Sequence, residues 1–228
     1  PDNFLLDVAK SNGRILDIAG TAGEFAAALY KRFISLGVEQ HTIANLIYTI
    51  PKSSICYELT RKMYEMLGLN AKNIAIHFNA FNLLTITKGK AVDYERIKSL
   101  LQQHKPFKDI TLTDTPVEGD NMCIFNAVVG NPPYQSTAPG TSTSDLPIYH
   151  YFADMASVLA QKNILIMPAR FLFNAGKTPK DWNKRMLEDT HIRVAMYETN
   201  TKNIFPDTEI PGGMSIIYRD NQTSFEPI

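Results

Sequence analysis

Four consecutive residues, Asn131-Pro132-Pro133-Tyr134, follow the most apolar short run of the chain, residues 122–129. Two prolines in a row fix the backbone, remove two N–H donors and bias Asn131 towards an extended conformation. Carbonyls then point outward without competing donors. The side-chain oxygen of Asn131 and the backbone carbonyl of Pro132 can together accept both hydrogens of an exocyclic amine. Tyr134 offers a ring on which a planar group stacks. A rigid proline turn would have the same sequence, so the chemistry rests on what accompanies it.

A second cluster is Leu16-Asp17-Ile18-Ala19-Gly20-Thr21-Ala22-Gly23-Glu24-Phe25. It closes one apolar run and opens an amphipathic one. Small residues there let a ligand approach the backbone, and a helix N-terminus presents free N–H groups. A ligand-free strand-to-helix turn would also suit these residues. Glu58, read at the end of a second strand, can accept two ribose hydroxyls. It stands 41 residues after Asp17, against about 20 in a dinucleotide fold. Asn79, read after a third strand, can contact an adenine amino group. Gly176-Lys177-Thr178 is no phosphate loop, because Phe171 stands where the first glycine belongs.

The elements that must position these residues follow from the hydrophobic pattern. Residues 14–18, 54–58, 73–78, 122–129, 163–167, 192–197 and 214–218 read as strands. Residues 24–36, 60–67, 93–103 and 146–160 read as helices, with Gly37 and Gly68 as stops. Residues 43–50 form an apolar stretch that Pro51 terminates. The alternation predicts an α/β fold, a mostly parallel central sheet with helices on both faces. Ligands of such sheets bind outside the carboxyl ends of the strands. The Thr/Ser-rich residues 137–144 read as a flexible loop, a lid beside the site.

Composition narrows the function. The 228 residues carry 23 Lys+Arg and 23 Asp+Glu, so the net charge is zero. That excludes a strongly basic nucleic-acid binder driven by counterion release, though not a local basic groove. Hydrophobic residues at 44% and charged residues at 20% describe a folded chain. No run of apolar residues is long enough for a membrane span. Cys56 and Cys123 lie in apolar contexts and read as reduced thiols. The five histidines lack metal-ligand spacing, so no metal is expected.

Asn131-Pro132-Pro133-Tyr134-Gln135, after Val128-Val129-Gly130, resembles the catalytic motif of amino-methyltransferases that use S-adenosylmethionine. Residues 16–25 resemble their cofactor motif, usually L-D-P-A-C-G-T-G-E-F. The order of the two is that of the gamma class of adenine-N6 DNA methyltransferases. Pro147-Ile148-Tyr149-His150-Tyr151-Phe152, the segment from Asn163 to Arg170, and Gly212-Gly213-Met214-Ser215-Ile216 resemble the methylase domain of Eco57I-like restriction-modification enzymes. The likeness spans about residues 1 to 220. Gly20 replaces the usual Cys, Thr21 the following Gly and Ala22 the Thr, while Asp17, Ala19 and Gly23 are kept. Asn79 stands for an Asp.

The resemblance implies a Rossmann-like methyltransferase fold and methyl transfer from S-adenosylmethionine to a flipped-out adenine. Asn131, Pro132, Pro133 and Tyr134 would be catalytic. Asp17, Ala19, Gly20, Thr21, Gly23, Glu58 and Asn79 would hold the cofactor. Arg170, Lys177, Lys180, Lys184 and Arg185 read either as phosphate contacts or as an ordinary solvated surface. Residues 1–228 would be a single catalytic domain, a piece of a longer bacterial or phage cytoplasmic protein without its DNA specificity domain. Double-stranded DNA, bound weakly, and an endonuclease or specificity subunit would be its partners. Two alternatives stay open. A protein glutamine methyltransferase shares the Asn-Pro-Pro-Tyr logic, although the 73 residues from Glu58 to Asn131 and Gly212-Gly213 favour DNA. A non-catalytic module of a restriction complex would explain the altered cofactor motif.

Overall fold

The computed structural model describes residues 2–87, 92–110, 123–136, 146–226 and 228. In chain order come α1 (Asp2–Lys10), β1 (Ile15–Gly20), α2 (Glu24–Ser35), α3 (Gln40–Ile43), β2 (Ile47–Pro51), α4 (Ser54–Leu67), α5 (Ala80–Thr87) and α6 (Tyr94–Leu101). Then follow β3 (Phe125–Gly130), β4 (Gln135–Ser136), β5 (Leu146–Pro147), α7 (Tyr149–Leu159), β6 (Ala160–Pro168), α8 (Lys180–Glu188), β7 (Ile192–Glu198) and β8 (Met214–Asp220). The main sheet runs β2-β1-β3-β6-β8-β7, and β4 pairs with β5 beside it. The first four strands are parallel, and β8 is antiparallel to both of its neighbours.

All six residues of β1 are buried, as expected where helices cover both faces. Successive side chains of a strand point to opposite faces, and β1 divides accordingly. Ile15 joins a core with Ala26, Phe33 and Tyr64, so α2 and α4 lie on that face. Leu16 and Ile18 join Leu83, Ile97 and Phe152, so α5, α6 and α7 lie on the other. The helix ends follow local chemistry. Asp93 caps α6 by accepting from the Arg96 amide at 2.8 Å, and Gly68 ends α4 in the left-handed conformation.

Two expected strands are corrected. The second strand is Ile47–Pro51, within the apolar stretch 43–50, and residues 54–58 open α4. Pro51 ends the strand, and the Ser53 hydroxyl accepts from the Cys56 amide at 3.3 Å to cap a helix. The apolar face of that helix carries Tyr64 into the core. Residues 73–78 contribute only one parallel bridge, Ile74 with Thr49. Beyond it Ile76 is exposed and His77 takes φ 57°, which no strand sustains. Residues 146 and 147, read as helix, are spent on β5. The proposed lid, residues 137–144, and Met122 lie outside the described residues. Among the described residues no helix is long and apolar enough to cross a membrane.

Candidate active site

The register Asp17 opposite Val129 sets the loop after β1 beside the loop after β3. Adjacent strands are about 4.8 Å apart, so Ala19–Gly23 and Asn131–Tyr134 leave neighbouring strands at the same end of the sheet. This is where an open α/β sheet takes its ligand.

The β1 loop is shaped by volume. A bulge between Ile18 and Gly20 leaves Ala19 at φ 130°, a conformation that side chains rarely adopt and that clusters at ligand sites. Asp17 is fully buried, and neither of its carboxyl oxygens has a partner. A Cβ on Gly20 would stand 2.5 Å from Asp17 Oδ2 and 2.7 Å from Thr49 Cγ2. The carboxyl therefore fills the room that a side chain at 20 would take. Burial first, and the nearby negative Glu24 second, push the Asp17 carboxyl well above the usual range. Gly23, at φ 85°, lies against Met63, which a Cβ would meet at 2.9 Å.

Glu24 closes this loop. It accepts from the Thr21 hydroxyl at 2.8 Å and the Ala22 amide at 2.9 Å. Burial pushes this carboxyl up, but hydrogen bonds from the Ala22 and Glu24 amides and from Thr21 outweigh it and hold the group low. Thr21 is exposed and turned towards Glu24.

The β3 loop is shaped by the prolines. Pro132 and Pro133 are buried. The Tyr134 hydroxyl donates to Asn131 Oδ1 at 2.7 Å and to Met214 Sδ at 3.2 Å. The Tyr134 carbonyl accepts from the Ile148 amide at 3.0 Å. Among the described residues none donates to the Pro132 carbonyl. Burial raises the Tyr134 phenol above its usual range, against the bond to Asn131, so the ring stays neutral. Tyr134 lines a cavity of about 480 Å³, the size of a small-ligand site. Its walls come from β5, the end of β6 and the approach to β8, including Tyr149, Arg170, Lys177 and Glu209.

Asp17, Ala19, Gly20, Thr21 and Gly23 are thus brought beside Asn131, Pro132, Pro133 and Tyr134. Glu58 is not a strand-end carboxylate. It lies in α4, with its side chain 58% exposed and 3.0 Å from Arg61. β2 ends at Pro51, and the amide of Lys52, the next residue, donates to the Gly20 carbonyl at 2.9 Å. Asn79 caps α5, its side-chain oxygen accepting from the Phe81 amide at 3.0 Å. Sequence reading missed Glu24 as the loop closure, although Thr21-x-x-Glu24 is a helix-start spacing. It also missed the buried bond between the Tyr149 and Thr178 hydroxyls, 2.7 Å long. No group of metal-ligating side chains occurs among the described residues.

The mostly parallel sheet with helices on both faces is a methyltransferase fold, with a small-residue loop after β1 and the Asn-Pro-Pro-Tyr loop after the adjacent β3. The chain belongs to the Eco57I restriction-modification methylase family, whose model matches residues 45–205. It is similar in fold to the type I restriction-modification system methyltransferase subunit from Streptococcus thermophilus, at 16% identity and TM-score 0.53. That likeness covers 97% of this chain and 42% of the other. It is also similar to DrdV as seen in a DrdV–DNA complex, at 14% identity and TM-score 0.55, over 96% of this chain and 26% of that one. The chain therefore spans less than half of either structure. No curated protein matches it.

Proposed function

We propose that this chain is the catalytic part of a DNA adenine-N6 methyltransferase that uses S-adenosylmethionine. The observation that carries the reading is the complete Asn131-Pro132-Pro133-Tyr134 loop at the carboxyl end of β3, one strand from a cradle of small residues. Membership of a restriction-modification methylase family and likeness to DrdV, which is seen with DNA, support DNA as the substrate. A bacterial or phage cytoplasm, and a specificity domain or endonuclease as partner, go with that reading.

The cofactor fits the β1 loop. The backbone at Gly20 and Gly23 packs against Asp17, Thr49 and Met63 with no space for a Cβ, and Asp17 is a buried polar group whose carboxyl oxygens have no hydrogen-bond partner. Ala19, Gly20, Thr21 and Gly23 would line the methionine end, with Asp17 ordering the loop from beneath. Asn79 would contact the adenine of the cofactor. Bound there, S-adenosylmethionine supplies an electrophilic methyl on a sulfonium sulfur, so the chain needs no strong general base.

The chain supplies acceptors and position. An adenine N6 amine is a poor nucleophile because its lone pair is delocalised into the ring. Asn131 Oδ1 and the Pro132 carbonyl accept its two hydrogens, which favours a pyramidal nitrogen with a localised pair. The same dipoles face the positive charge that develops there, and they are oriented beforehand. Asn131 Oδ1 already accepts from Tyr134, but a carboxamide oxygen has two acceptor sites. Holding the reactants in place supplies most of the remaining acceleration. The base must leave the duplex stack to reach this loop, and Tyr134 stacks on it.

A second reading, a non-catalytic module, is favoured by one observation: β2 ends at Pro51 and is followed by Lys52, where a ribose-binding carboxylate would stand. Incubation with S-adenosylmethionine labelled on the methyl, DNA and a glutamine-bearing protein decides. Label recovered as N6-methyladenine is the expected result. Label in protein glutamine, or none with the cofactor unbound, overturns it.

A further inference from the structure

The cavity beside Tyr134 has a second wall that methyl transfer does not use. Arg170 lies along it between Gly176 and Gly212, at φ 80° and 89°. A Cβ on Gly212 would stand 2.7 Å from Arg170 Cγ, and one on Gly176 3.2 Å from Arg170 Cδ. Both glycines keep open the channel in which the arginine lies. Arg170 Nε donates to the Pro211 carbonyl at 2.7 Å. That bond fixes the guanidinium plane, and its terminal nitrogens, near the Tyr149 phenol, have no hydrogen-bond acceptor among the described residues.

Lys177 also lines the cavity and is exposed. Its neighbours in sequence are committed elsewhere. Lys180 bonds the Asn174 carbonyl, Lys184 lies 3.9 Å from Glu188, and Arg185 lies 2.8 Å from Asp154. The cavity thus presents two cations against one acid, Glu209, in a chain of zero net charge. A planar guanidinium with its geometry already fixed suits a phosphate and loses little freedom on binding it.

We infer that Arg170 and Lys177 grip a phosphate of the target nucleotide, so that the cavity takes a nucleotide rather than a bare base. The base is placed against Tyr134 by the methyl-transfer reading, and the identity of the base rests on that reading. The anion does not. Its evidence is the fixed arginine, the exposed lysine and the room between them. Of the five basic residues at 170–185, these two alone line the cavity.

The test compares deoxyadenosine, dAMP and inorganic phosphate binding to the 228-residue chain by nuclear magnetic resonance titration. Variants are Lys177→Gln and Arg170→Lys. The expected result is dAMP bound about tenfold more tightly than deoxyadenosine, a factor equivalent to one good charged contact. Phosphate competes with dAMP, and rising salt erodes the preference. Lys177→Gln, an exposed change that leaves the fold alone, removes most of the preference and leaves deoxyadenosine affinity unchanged. Arg170→Lys keeps the charge but loses the fork and the bond to Pro211, and weakens dAMP as well. Equal binding of dAMP and deoxyadenosine by the unaltered chain overturns the inference. So does a preference that both variants retain. A dAMP preference in a chain that never methylates DNA would strike the methyl-transfer reading and leave the phosphate grip standing.

Discussion

The two loops at the heart of the molecule are held by different means. The loop after β3 keeps every residue of its motif, and its shape comes from buried Pro132 and Pro133 and from Tyr134 tied to Asn131 and Met214. The loop after β1 departs from its usual motif at Ile18, Gly20, Thr21 and Ala22. The family match, which begins at residue 45, includes the first loop and leaves out the second. Physical chemistry accounts for the contrast. On the proposed reading, a pair of acceptors for one amine depends on a side-chain amide and on carbonyls that the prolines hold in place. A cradle works through backbone and empty space. With Gly20 in place of a larger residue, the Asp17 carboxyl takes up the volume. The first loop is specified by residue identity, the second by the sum of its volumes.

Two substitutions should separate these designs. Asn131→Ala removes a side-chain acceptor of the loop after β3, catalytic on the proposed reading. Methyl transfer should fall by about 100- to 1,000-fold, the usual cost of one preorganised electrostatic group, while calorimetry shows S-adenosylmethionine binding unchanged. Gly20→Ala should do the reverse. Its Cβ would press on Asp17 and Thr49, and overpacking costs about 1–3 kcal/mol. Cofactor affinity should drop by about tenfold or more, with turnover at saturating cofactor much less affected. Were Gly20→Ala to bind the cofactor normally, the β1 loop would not be governed by volume.

Much of this contrast is legible in the amino-acid sequence alone. The short apolar run of β1 and the nearly continuous one of β3, broken only by Asp17 and Asn126, announce strands, and each is followed directly by its loop. Asp93 three residues before Arg96 marks the start of α6. Residues 54–58 mislead because Ile-Cys-Tyr in a short window suits either strand or helix. Ser53, after a strand-ending proline, is the signal for a helix cap. Residues 73–78 are apolar enough for a strand, but their neighbour on the sheet edge offers a single bridge. Nothing local announces the channel around Arg170, whose partner carbonyl is 41 residues away. Such a feature exists only once β6 and β8 are paired.

The comparison also predicts where pH acts. The loop after β3 has no group that titrates near neutrality, since Tyr134 is shifted further up. The β1 segment has Asp17, whose folded pKa lies well above its ordinary 3.8 because of burial and then Glu24. Between those two values the unfolded chain binds fewer protons than the folded one, so stability falls as pH rises through that window. Asparagine cannot ionise. The melting temperature of the unaltered chain, minus that of Asp17→Asn, should therefore decline as pH rises above about 4. A difference that is flat or climbs with pH would mean that Asp17 is charged or paired in the folded chain.

The smallest effect is expected at Glu58, where the altered half of the site meets its surroundings. A strand-end carboxylate would lie at the sheet edge, next to the loop. Glu58 instead sits in α4, largely in solvent, and shares Arg61 with Glu65. Exposed pairs of this kind contribute little, because both partners lose freedom to meet and water screens them. Glu58→Ala should leave S-adenosylmethionine affinity within about twofold of the unaltered chain, like other surface changes away from a site. The ribose would then be held at the end of β2 by groups around Pro51 and Lys52, next to the Gly20 carbonyl that the Lys52 amide already engages. Should Glu58→Ala weaken the cofactor as much as Gly20→Ala does, the N-terminal half of α4 must belong to the cradle. Identity would then matter on both sides of the site, and the contrast between the loops would fail.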